Sequence, residues 1–159
     1  MGSRTVYLSV CLLLALSASV GTYPVGNTRC GACWAGWTAF ECRCFKFFNN
    51  RQTWIEAEKI CLDFEGNLAS VHSHEEYIFL QNLIRYETQA TTRTWIGGHD
   101  AVSEGAWLWS DGTKMDFQIW SPGNPSNYEG YEHCLEMNYT NGNWNDLKCS
   151  EMLPFVCAN

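Results

Sequence analysis

Positive charge is scarce in this chain. Ten lysines and arginines stand against 17 aspartates and glutamates, for a net charge of −7. The basic residues form no cluster, which argues against nucleic acid and anionic membranes as partners. Long apolar runs are missing as well. The longest, Val10 to Leu16, falls well short of the about 20 residues that cross a bilayer, so no membrane insertion is expected. Catalytic signatures are absent too. There is no G-x-S-x-G, no glycine-rich phosphate loop and no H-E-x-x-H, and nothing pairs the carboxylates for acid–base work. The chain reads as a binding protein and not an enzyme. It has no internal repeat and no low-complexity tract.

The start of the chain has the layout of a secretory signal. Arg4 is the only charge before Arg29, the apolar run follows it, and small residues then occur at Ser17, Ala18, Ser19 and Gly21. Residues 1–21 are assigned to this signal, with cleavage after Ser19 or Gly21, and the product is expected to be secreted. Cys11 leaves with the signal, so nine cysteines become an even eight. Counted after Gly21, 9 basic residues face 17 acidic ones, a net −8. About 138 residues remain, enough for one domain. Eight cysteines in an exported chain of this size imply disulfides. Zinc is the competing reading, but Cys30-x-x-Cys33 has no second CxxC and no histidine at ligand spacing.

Periodicity predicts two helices. Thr53 is an N-cap for residues 53–64, where Trp54, Ala57, Ile60, Cys61 and Phe64 share a face and Gly66 provides the stop. Ser73-His74-Glu75-Glu76 reads as a capping box for the second helix, whose buried stripe is Tyr77, Phe79, Leu80, Leu83 and Ile84. Beyond Trp95, short strands alternate with Gly, Asn, Asp and Pro turns: Trp95-Ile96, Trp107-Leu108-Trp109, Cys134 to Met137 and Phe155-Val156-Cys157. The fold class is α+β. Residues 22–32 form a short lead-in. His72 and His74 have a zinc-like H-x-H outline but no third ligand, so core or capping roles are expected. Trp95, Trp107, Trp109 and Trp144 read as core, whereas Trp120, Tyr128 and Tyr131 are exposed candidates for stacking on a sugar.

Six motifs occur in one order: Cys33-x-x-Gly36-Trp37-Thr38, Cys44 to Phe47, Gly66 to Ser73, Trp95-Ile96-Gly97-Gly98, Trp107-x-Trp109-Ser110-Asp111-Gly112 and Trp144-Asn145-Asp146. In this order they resemble the C-type lectin-like domain over residues 33–157. Within that family the chain is most similar to the small secreted fish lectins of the ladderlectin and nattectin type, relatives of the type II antifreeze proteins. The resemblance implies disulfides Cys33–Cys44, Cys61–Cys157 and Cys134–Cys149. It leaves Cys30 and Cys42 either to bond to each other or to join two chains, so the assembly is a monomer or a disulfide-linked homodimer.

The resemblance also implies a calcium-assisted glycan site. Sugar-binding members carry Glu-Pro-Asn, usually for mannose-type sugars, or Gln-Pro-Asp, usually for galactose-type sugars. A downstream Glu and an Asn-Asp pair complete the calcium shell. Here Glu132, Asn145 and Asp146 keep that pattern, but the tripeptide is Asn124-Pro125-Ser126. One carboxylate is lost, and since ligand charge tunes calcium affinity, weak or absent calcium binding is expected. The carbohydrate-binding set is thus Asn124, Ser126, Glu132, Asn145 and Asp146. Calcium falls to Glu132, Asn145, Asp146 and Asn124. The alternative is that Glu132, Asn145 and Asp146 only hold loops together by hydrogen bonds. Asp100 and Glu104 match an auxiliary cation site, with His133 where an acid belongs. Asn138-Tyr139-Thr140 is a glycosylation sequon. The expected function is glycan recognition, for instance on microbial surfaces. Ice binding and recognition of a protein partner are the alternatives.

Overall fold

The computed structural model describes residues 30–159, so the assigned signal peptide and most of the lead-in lie outside the described residues. In chain order the elements are β1 (Thr38–Phe40), β2 (Arg43–Gln52), α1 (Trp54–Asp63), β3 (Asn67–Leu68), α2 (His74–Thr88), β4 (Thr94–His99), β5 (Leu108–Trp109), β6 (Cys134–Met137), β7 (Asn145–Leu147) and β8 (Leu153–Ala158). The sheet runs β1-β2-β8-β4-β6-β7, with β3 beside β8 and β5 beside β4. The last strand is central. It pairs antiparallel with β2, from Phe45 opposite Ala158 to Gln52 opposite Leu153, and parallel with β4 where Trp95 meets Phe155. The C-terminus therefore closes the fold.

Both helices start as their caps predict. The Thr53 hydroxyl accepts the Glu56 amide at 3.4 Å, and the Ser73 hydroxyl accepts the Glu76 amide at 3.1 Å. The return arm of the second cap differs from a capping box: Glu76 accepts from the His72 amide at 2.8 Å and from Arg43 at 2.6 Å. The stop of α1 also differs from the glycine expected there. Glu65 takes the left-handed conformation, with φ of 56°. Gly66 is required for another reason, because a Cβ there would run into the backbone of Ala158 at the end of β8.

Tyr77, Leu80 and Ile84 of α2 are buried against Phe45, Trp109, Trp144 and Val156, while Phe79 and Leu83 pack on the edge of this cluster. Trp54, Ala57 and Cys61 of α1 join Leu68, Trp95 and Phe155 in a second cluster, with Ile60 and Phe64 at its margin. Truncating one such buried leucine or isoleucine to alanine costs about 2–5 kcal/mol. Trp107 is only half-buried, its ring 4.7 Å from that of Trp120.

Four disulfides staple the domain: Cys30–Cys42, Cys33–Cys44, Cys61–Cys157 and Cys134–Cys149. The first lies within one chain, beside the second, with Cys42 in the turn that joins β1 to β2. Cys61–Cys157 spans 96 residues and ties α1 to β8. Loops of that length gain about 4–5 kcal/mol in the chain-entropy account. No helix among the described residues is long and apolar enough to cross a membrane.

Candidate functional site

The loop from Trp120 to His133 is held at both ends. At its start the Ser121 amide donates to the Trp144 carbonyl and the Trp144 amide to the Ile119 carbonyl, each at 2.9 Å. At its end Cys134 enters β6 and is bonded to Cys149. Between these anchors Asn127, Glu129 and Gly130 take left-handed conformations, which curl the chain back at Tyr128–Gly130.

Two carboxylates organise the interior of the loop. Asp146 is completely buried; its Oδ1 accepts from the Ser126 amide at 2.9 Å and its Oδ2 from the Asn127 amide at 2.5 Å. Glu132 Oε2 accepts from the Tyr128 amide at 2.9 Å and from the Ser126 hydroxyl at 3.1 Å. Ser126, Glu132 and Asp146 are thus brought together directly. Asn145 and Asn124 sit differently. Asn145 Nδ2 donates to Glu136 Oε1 at 2.8 Å and to the Asp146 carbonyl at 2.6 Å, and Asn124 Nδ2 donates to the Ser121 hydroxyl at 2.6 Å.

This donor set fits a hard cation. Among the described residues neither Glu132 nor Asp146 has a cationic partner within 4.0 Å. Both amide side chains spend their nitrogen on protein acceptors, so the carbonyl oxygen is the end left over. Two carboxylates and two amide oxygens suit calcium, which takes six to eight oxygens. The same bonds also give Glu132 and Asp146 the loop-holding role that was the alternative. Holding and coordinating are compatible, because an ionised carboxylate has about four lone-pair positions.

Asp100, Glu104 and His133 gather beside the loop, with one donor atom from each lying within 4.8 Å of the others. His133 Nδ1 lies 3.0 Å from buried Asp100 and 3.5 Å from Glu104. Glu104 also accepts from Asn127 Nδ2 at 2.5 Å, which links this cluster to the loop. Tyr128 and Tyr131 are 64% and 65% exposed. Lys148 lies 5.6 Å from the centre of the Tyr131 ring and pairs with Glu129, which raises the lysine's pKa. Trp120 does not stand out as an exposed platform: it is half-buried against Trp107 and Trp144, and its Nε1 donates to Gln118.

Two other sequence readings change in the structure. Asn138 is 4% exposed, its Nδ2 donating to the Thr92 carbonyl at 3.1 Å, so the folded domain leaves no room for a glycan on that nitrogen. His72 keeps the capping half of its reading, its amide donating to Glu76, but its ring lies in a polar network and not in the apolar core: it is 2.9 Å from Asp116 and 3.1 Å from Ser70. Hydroxyl, imidazole and carboxylate line up here as in a nucleophile relay. Ser70 is fully buried, however, and gives its proton to Asp111 at 2.5 Å, so it meets no substrate. Burial pushes Asp111 up, but hydrogen bonds from Ser70 and Thr113 and the charge of Arg43 outweigh it and hold its pKa below the ordinary value.

Sequence reading missed Glu136 and Arg93. Glu136 is completely buried in β6, where the Arg93 guanidinium meets it through two hydrogen bonds, from Nε at 2.6 Å and from Nη2. That bond raises the guanidinium's pKa further. The signal was present: a carboxylate between Leu135 and Met137 in a buried strand needs a partner.

Fold and loop together define a disulfide-stapled α+β domain whose loop presents carboxylate and amide oxygens. The chain belongs to the Lectin C-type domain family, which matches residues 50–159. It is 39% identical over 152 residues to the galactose-specific lectin nattectin of Thalassophryne nattereri, covering 96% of this chain and 95% of that protein. It is 42% identical over 134 residues to lactose-binding lectin l-2 of Anguilla japonica, covering 80% and 78%. Ladderlectin of Oncorhynchus mykiss is 42% identical over 123 residues, covering 77% and 65%. Among solved structures, a calcium-independent type II antifreeze protein superposes with a TM-score of 0.73 at 34% identity, covering 80% of this chain and 94% of that one. The lectin CEL-I of Cucumaria echinata gives 0.77 at 29%, covering 80% and 97%.

Proposed function

We propose that this chain is an exported, non-enzymatic lectin that binds terminal sugars, galactose-type first, at the loop of Asn124, Ser126, Glu132, Asn145 and Asp146. One calcium ion assists, held by Glu132, Asp146 and the amide oxygens of Asn145 and Asn124. The carrying observation is that Glu132 and Asp146, two carboxylates without a cationic partner, meet on one short stretch of loop. Bound calcium would supply coordination positions for sugar hydroxyls. The exposed rings of Tyr128 and Tyr131 offer apolar faces for a pyranose beside it.

The names of the galactose-specific and lactose-binding relatives support the choice of sugar. With two carboxylates and neutral groups at positions 124 and 126, calcium affinity is low for the family. The likeness to antifreeze proteins concerns the fold. The acidic groups Glu104, Glu129 and Glu132 around the loop make it a poor match for ice, and ice-growth inhibition is not expected. A glycan array read with calcium and with chelator tests the proposal. Galactose-terminated glycans retained in calcium and released by chelator support it, and an array blank in both conditions refutes it.

A further inference from the structure

Asn145 can present either end of its amide to a ligand, and the two ends have opposite meaning. An oxygen attracts a cation and accepts from a sugar hydroxyl; an NH2 repels the first and donates to the second. Two acceptors on the protein side fix the choice, one of them a side chain. The side chain is Glu136, directly opposite Asn145 in the β6–β7 ladder. A carboxylate can only accept hydrogen bonds, so it takes Nδ2, at 2.8 Å. The Asp146 carbonyl, also an acceptor, takes the same nitrogen at 2.6 Å. Oδ1 is left over for a ligand.

Glu136 is 0% exposed, and an anion there requires a counter-charge. Arg93, 43% exposed, supplies it through Nε and Nη2, a two-pronged grip that also sets the carboxylate plane. The guanidinium is itself placed by the Tyr139 ring, whose centre lies 5.2 Å away. The chain Arg93–Glu136–Asn145 therefore runs from solvent, through the buried strand, to the binding loop.

We infer that Arg93 and Glu136 are positioning residues for the sugar and calcium site: they touch no ligand, but together with the Asp146 carbonyl they hold Asn145 so that it offers oxygen. This rests on the reading of Asn145 as a ligand. It predicts that Glu136→Gln turns the amide round. Arg93 would claim the glutamine oxygen, and the glutamine NH2 would then face Asn145, which answers with Oδ1 and gives up its bond to the Asp146 carbonyl.

The test uses the full domain with Glu136→Gln and Arg93→Lys. Lysine keeps the counter-charge but lacks the fork, so this variant protects the fold if the other fails. The first readout is NMR of the Asn145 side-chain NH2 in calcium-free protein. Its protons are expected to lose their hydrogen-bonded shifts and slow exchange in Glu136→Gln. The second is calcium affinity by calorimetry, expected to fall about 10- to 100-fold, as when a partner orienting a metal ligand is removed, with a smaller fall for Arg93→Lys. Melting temperature in chelator reports loss of fold separately. An unchanged Asn145 signature in Glu136→Gln overturns the inference, as does calcium affinity equal to the parent's in both variants. If the parent takes up no calcium, the calcium reading of the site fails. The calcium-free NMR result then still decides whether Glu136 orients Asn145.

Discussion

Asp146 is the residue whose removal says most about the loop. In Asp146→Asn one oxygen can still accept the Ser126 or the Asn127 amide, but an NH2 then faces the other N–H. One charge-assisted bond is lost and the second is weakened. Hydrogen bonds to charged groups contribute about 1.5–3 kcal/mol each. Ser126 is exposed and Asn127 half-exposed, so water replaces part of the loss. A net cost of about 2–3 kcal/mol in loop opening follows, or roughly 30- to 150-fold in the opening equilibrium. Hydrogen exchange measured in chelator reads this directly. The Ser126 and Asn127 amides should exchange faster by that factor, while the amides of β8 keep their protection. Equal exchange in parent and variant would show that Asp146 does not hold the loop, and the geometric account of the site would be wrong.

Other consequences can be checked independently. Asp111→Asn should destabilise the domain by about 1–3 kcal/mol at neutral pH. Because the folded pKa of Asp111 is lowered, its contribution is present above the unfolded value of about 3.9 and fades as pH falls through the folded value. Parent and variant melting temperatures should therefore converge in acid; a gap that persists there refutes the network's role. Protein from a glycosylating host should show Asn138 unmodified by peptide mass spectrometry, and a glycosylated, folded product would contradict its buried placement. Asn124→Glu adds a third carboxylate near the ion. Even at the dielectric of water, a unit charge about 4 Å from a divalent ion gains about 2 kcal/mol. Calcium affinity should rise roughly 30-fold by calorimetry, and no rise would place the ion elsewhere.

Much of the scaffold was legible because its signals are local. Thr53 and Ser73 announce the helices, and the 3.6-residue period of Trp54, Ala57 and Cys61 announces what α1 buries. β2 was harder to see. Its second half, Asn49 to Gln52, is polar and largely solvent-facing, so no alternation marks it as the longest strand. The stop at Glu65 was hidden because a glycine stands next to it, needed there for contact with β8. In the site, Glu132 and Asp146 were singled out by the family resemblance, which the residues around Cys134 and Trp144 carry. The partnership of Glu136 with Arg93 and Asn145 could not be read, since cross-strand neighbours follow from register, which a linear reading does not supply. Trp120 and Asn138 were misjudged for a related reason: both lie in turn-rich sequence, yet long-range contacts with Trp144 and Thr92 cover them.

The central claim is that calcium and a sugar share one site on the loop. By linkage, each ligand must then tighten the other by the same factor. Calcium should be titrated calorimetrically into the protein alone and into the protein saturated with lactose. The account predicts a detectable calcium affinity that strengthens in lactose, with lactose strengthened equally by calcium. Lactose binding that is indifferent to calcium, or calcium binding that is indifferent to lactose, would contradict it.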